Sequence, residues 1–162
     1  KNLRPSSASA RSLLFSASRE GNFRSGTENL PGICGFAAAC EETDAAADIA
    51  HMAQLRDLCR EKLQQIPGLV LIGKQDAPHI VNLSLPGLRS QGIINCLQSD
   101  GIYVSAGSAC SKGHRSHVLE AMHLSPAVID GSIRVSFSRD NTEADVDALC
   151  QALLHAKQTL KG

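Results

Sequence analysis

Residues 132–138 alternate without a break: Ile133, Val135 and Phe137 on one side, Ser132, Arg134, Ser136 and Ser138 on the other. Successive residues of a β-strand point to opposite faces of the sheet, so this run specifies a strand with one apolar and one polar face. Its apolar face has to be covered, and helices on that one face are the expected cover. Three further runs read as strands: 69–72, then 79–85 between Pro78 and Pro86-Gly87, and 102–105.

Residues 31–66 follow a helical pattern in two parts. The first, to about residue 42, is rich in alanine and opens on Pro31, whose fixed φ suits a first helical turn. Thr43 or Asp44 opens the second. There Ile49, Met52, Arg56, Cys59, Leu63 and Ile66 recur at three- and four-residue steps until Pro67-Gly68 ends the pattern. A short helix is predicted over 89–100 with Ile93, Ile94 and Leu97 inward, and another over 115–123. Asn141 or Thr142 caps a last helix whose buried stripe is Val146, Leu149, Cys150, Leu153 and Leu160. The sum is an α+β fold of about four strands packed on helices. Residues 1–29 have a different texture, rich in serine and then in Gly and Asn, and read as an arm with room for one short strand. Residues 30–162 read as the domain.

A chain of 162 residues is about one domain by length and long enough to bury a core. With 43% hydrophobic and 20% charged residues it is globular in composition. Sixteen basic residues balance sixteen acidic ones, which argues against a nucleic-acid or anionic-membrane partner held by bulk charge. Aromatics at 3%, without Trp, argue against a stacking platform for single strands. No apolar run approaches the roughly 18 residues that span a bilayer. The chain begins at Lys1 without a Met or a charged-then-apolar leader pattern, and reads as a fragment. Six cysteines, at 34, 40, 59, 96, 110 and 150, read as buried thiols with one reactive exception. That usage suits a cytoplasmic chain better than a disulfide framework.

The reactive exception is Cys110. It lies among Ser105, Gly107, Ser108, Ser111 and Gly113, small residues that make an accessible backbone, and Lys112, His114 and Arg115 follow it closely. Cations at that range lower a thiol pKa and raise the thiolate fraction, the nucleophilic form. Cys110, His114 and His117 also give a C-x3-H-x2-H pattern acceptable to zinc, but a structural site wants four ligands. His123 would lie further along the same helix, so no metal site is expected. Arg134, on the serine face of its strand, offers a planar fork that takes a carboxylate bidentately, or pairs with a helix carboxylate. Arg24, Ser25 and Thr27 sit in a polar loop leading into a Pro-started helix, a setting that suits a phosphate.

Together, RSGTEN at 24–29, YVSAGSACSKG at 103–113, SHVLEAM at 116–122 and SIRVSFSRDNTEADVDAL at 132–149 resemble the cysteine desulfurases. These are the NifS-like branch of the class-V aminotransferases, which depend on pyridoxal 5′-phosphate (PLP). The resemblance runs from about residue 20 to the C-terminus. It implies the small C-terminal domain of a fold-type I PLP enzyme, preceded in residues 1–29 by the tail of the large PLP-binding domain. It implies that the Cys110 thiolate attacks the sulfur of PLP-bound L-cysteine and becomes a persulfide, with release of alanine. By the same resemblance Arg134 clamps the substrate carboxylate and Thr27 reaches the PLP phosphate of the neighbouring subunit of a homodimer. The sulfur then passes to an iron–sulfur scaffold or another acceptor protein.

The chain departs from the family in two places. The Schiff-base lysine belongs upstream of RSGTEN, where only Lys1 stands, so the chain alone is expected to be inactive. Where the family usually has a glycine-rich turn, this chain has Ser16-Ala17-Ser18-Arg19-Glu20. Two other readings stay open on these residues: a selenocysteine lyase-like PLP enzyme, and a truncated, non-catalytic interaction module.

Overall fold

The computed structural model describes residues 28–74, 76–106 and 115–160. These fall into two compact units, one ending at Thr43 and one beginning at Asp44. The described part of the first is helix α1, Leu30–Glu42. Asn29 caps it by accepting a bond from the Gly32 amide at 3.2 Å, and Pro31 stands in its first turn. Its larger apolar side chains, Leu30, Ile33 and Phe36, are all exposed.

The second unit begins with α2, Ala45–Gln64, capped by Asp44, whose carboxylate accepts from the amides of Ala46 and Ala47. Strands β1, Val70–Leu71, and β2, Ile80–Ser84, are followed by α3, Ser90–Ser99, and β3, Ser105–Ala106. Two five-residue helices come next, α4, His117–Ala121, and α5, Pro126–Asp130. Strand β4, Ser132–Ser136, and α6, Glu143–Thr159, complete the unit. Thr142 and Asp145 close a reciprocal capping box at the start of α6, satisfying amides that a helix start otherwise leaves unpaired.

The four strands form one antiparallel sheet in the order β1-β2-β4-β3. Val81 and Leu83 of β2 pair with Val135 and Ile133 of β4, and all four are buried. Against this inner face pack Leu55, Cys59 and Leu63 of α2, Ile93 and Leu97 of α3, and Val146, Leu149 and Leu153 of α6. The fold is therefore the expected α+β layer with helices over one face of a four-stranded sheet.

On the outer face, one end is covered. The Ser84 and Ser132 hydroxyls donate to the Val128 and Ile129 carbonyls at 2.7 and 2.8 Å, holding α5 there. Ile72, Leu119 and Ile129 make a small second cluster at that end. Gly131, between α5 and β4, is a site of close approach. A Cβ there would run into the Leu85 carbonyl oxygen and lie 3.0 Å from that of Leu88.

Several expectations are corrected. Ile49, at one of the three- and four-residue steps of the second helix, is exposed. Leu160 is likewise exposed, just past the end of α6. The strand expected at 102–105 pairs only at Ser105 and Ala106. Helix α5 had no counterpart in the sequence reading. Cys34 and Cys40 are exposed, not buried.

Candidate functional site

Arg134 sits at the middle of β4, between Asn82 of β2 and Ser105 of β3. Residues directly opposite on an antiparallel pair share a face with Cβ atoms about 4.5–5.5 Å apart. The three thus form a polar row across the outer face, beside the end that α5 covers. Arg134 is exposed, and among the described residues it has no hydrogen-bond or ion-pair partner. The carboxylate that a merely structural arginine would hold is absent there. A free guanidinium fork on a rigid central strand is a ready receiver for an external carboxylate.

Cys110 and Thr27 lie outside the described residues.

Of the cations expected to acidify Cys110, Lys112 and His114 also lie outside the described residues, and Arg115 is already engaged. Its Nε and Nη2 donate to the two carboxylate oxygens of Asp130 at 2.7 and 2.8 Å. The fork-to-carboxylate bonds hold the Asp130 carboxyl below its usual range and raise the Arg115 guanidinium. Sequence reasoning missed Asp130, because an ion pair spanning fifteen residues leaves no periodic trace.

Of the C-x3-H-x2-H residues only His117 is described, together with the further candidate His123. His123 stands beyond the end of α4 with φ 57°, where its amide bonds the Glu120 carbonyl at 2.9 Å and the Leu124 amide that of Leu119 at 3.4 Å. That is a Schellman-type helix stop, with histidine at the left-handed position. No group of three or more metal-binding side chains occurs among the described residues.

A PLP site asks for a free lysine beside groups for a phosphate and a ring. Of the described lysines, Lys62 is bonded to Asp147, Lys157 donates to the Pro67 carbonyl, and Lys74 is exposed in the β1–β2 connection. The described residues therefore do not fit the cofactor.

The cysteines divide by burial. Cys59 is fully buried, and its thiol is pushed up to about 12, chiefly by burial and further by the neighbouring Cys150. The Cys150 thiol is raised for the same first reason.

The family model for class-V aminotransferases matches residues 8–149. The chain belongs to that family. Its curated relatives include the cysteine desulfurase IscS of Methanosarcina thermophila, 35% identical over 92% of this chain, and a cysteine desulfurase of Klebsiella pneumoniae, 34% identical over 88%. The chain spans about two-fifths of the length of these relatives, 38% in each case. Among solved structures, a NifS-like protein superposes with a TM-score of 0.75 at 31% identity, covering 91% of this chain and 39% of that one. The NifS-like protein of Rickettsia africae gives 0.73 at 26% identity, covering 88% and 38%. Family membership of this kind implies PLP dependence in general terms. Among the described residues no helix is long and apolar enough to cross a membrane.

Proposed function

We propose that this chain is the substrate-facing part of a cysteine desulfurase, in which Arg134 holds the carboxylate of L-cysteine and Cys110 takes the sulfur as a persulfide. The observation that carries this reading is the exposed guanidinium of Arg134 on a central strand, without a partner among the described residues, and one strand from the sequence that leads into Cys110. A bidentate fork fixes both the position and the plane of a carboxylate, which orients the rest of a small amino acid. The Cys110 thiolate is the nucleophile.

In this reading residues 1–29 belong to the large PLP-binding domain and 30–162 to the small domain. Thr27 contacts the PLP phosphate of a second subunit in a homodimer. The cofactor's chemistry is assigned to the rest of that enzyme. The persulfide sulfur goes to an iron–sulfur scaffold or another acceptor protein, in the cytoplasm, where the five described free cysteines stay reduced.

In the protein that carries this chain, Arg134→Lys should raise KM for L-cysteine about tenfold, because a fork becomes a point charge. Cys110→Ser should stop alanine release. Unchanged KM in Arg134→Lys would return that residue to a structural role. Unchanged alanine release in Cys110→Ser would support another nucleophile.

A further inference from the structure

We propose that Asn82 is a positioning residue for Arg134, orienting its guanidinium for a carboxylate without neutralising it. This deepens the functional reading above and rests on it. Asn82 of β2 and Ser105 of β3 stand opposite Arg134, so the guanidinium has a polar neighbour on each side in one row. The neighbouring rows differ. In one, the Ser84 and Ser132 hydroxyls are spent on the carbonyls of Val128 and Ile129. In the other, Ile80 stands opposite the exposed Ser136.

Cover on one side sets what Asn82 can do. The Ile72 amide donates to the backbone carbonyl of Asn82 at 2.8 Å, carrying the β1 ladder one residue further. Leu71 pairs with Leu83 of the inner face, so Ile72 lies on the outer face, where it is buried with Leu119 and Ile129. In its row Asn82 comes between that cluster and the exposed Arg134, and it is half-buried. An amide at such an edge meets less competition from water for its bonds. Its chemistry suits the place. A guanidinium has five N–H donors, and a carboxylate held bidentately uses two. A cross-strand neighbour with an acceptor oxygen can take another and hold the plane of the fork. A carboxylate side chain at that position would pair with Arg134 and occupy the fork, and an apolar one would offer no acceptor. Asparagine is disfavoured in strands, so its place in the middle of a central strand carries a cost in propensity.

The test measures, in the protein that carries this chain, how far propionate protects Arg134 from phenylglyoxal, read by peptide mass. Propionate is a small carboxylate without the amino group or thiol of L-cysteine, so it reports on the Arg134 fork alone. In Asn82→Ala, half-protection should need about fivefold more propionate, the effect of one lost hydrogen bond to a charged group. KM for L-cysteine should rise by about as much, with kcat within about twofold. In the isosteric variant Asn82→Asp, Arg134 should label about fivefold more slowly without propionate, and KM should rise about twentyfold, because the neighbour now fills the fork. Protection in the parent protein, with the same half-protection concentration in Asn82→Ala, would overturn the proposal and leave the functional reading standing. Parent-like labelling and KM in Asn82→Asp would overturn it too. A fall in kcat in both variants, with protection and KM unchanged, would give Asn82 a structural role and end the proposal. No protection of Arg134 in the parent protein would overturn the functional reading itself, and the proposal with it.

Discussion

Cys59 and Cys110 stand in the same chain under opposite rules. Burial of Cys59 against the sheet keeps it a thiol, pushed up to about 12, so at neutral pH it has almost no thiolate to react. Iodoacetamide at pH 7.5 should therefore label Cys34 and Cys40 in the folded protein and reach Cys59 only after unfolding. Cys110 should label fastest of all. Labelling of Cys59 at the rate of Cys34 would contradict its burial. Arg134 was legible at this scale because alternation alone puts it on the polar face, and the sheet adds what alternation cannot, its lack of any described partner. Arg115, which the sequence offers as a cation near Cys110, is bonded to Asp130. Its partner comes from a helix fifteen residues on, and pairing across loops is not written in local order.

At the scale of elements, backbone geometry sets two tests around the short helices. Gly131 has no space for a side chain, since the Leu85 and Leu88 carbonyls close over it. Gly131→Ala should cost about 1–3 kcal/mol in urea unfolding, the range for forcing atoms into a packed site. A loss below 0.5 kcal/mol would show that the α5–β4 turn yields easily. His123 occupies a left-handed helix stop that glycine adopts without strain. His123→Gly should gain up to about 1 kcal/mol, the relief of φ strain less the entropy glycine adds to the unfolded chain. Destabilisation would mean that the imidazole makes contacts that outweigh the strain. Long periodic elements such as α2 and α6 were readable from spacing and caps, down to Asp44 and Thr142. Helix α5 was not, because five residues carry less than two turns of pattern and its apolar residues serve a small separate cluster.

For the whole molecule, the alternation in β4 was enough to foresee a sheet covered on one face, and the four strands assemble so. The order β1-β2-β4-β3 was not foreseeable, since it depends on which apolar edges meet once the helices dock. The site divides similarly: of the three residues proposed for it, the structure describes Arg134 alone, exposed on its central strand. The claim at the centre is that sulfur from L-cysteine ends on Cys110. The most direct measurement is peptide mapping by mass of the protein that carries this chain, after incubation with L-cysteine and before any reductant. One added sulfur on the Cys110 peptide, removed by dithiothreitol and missing in Cys110→Ser, is the predicted result. Sulfur on the Cys34 or Cys40 peptides instead, or undiminished alanine release from Cys110→Ser, would contradict it.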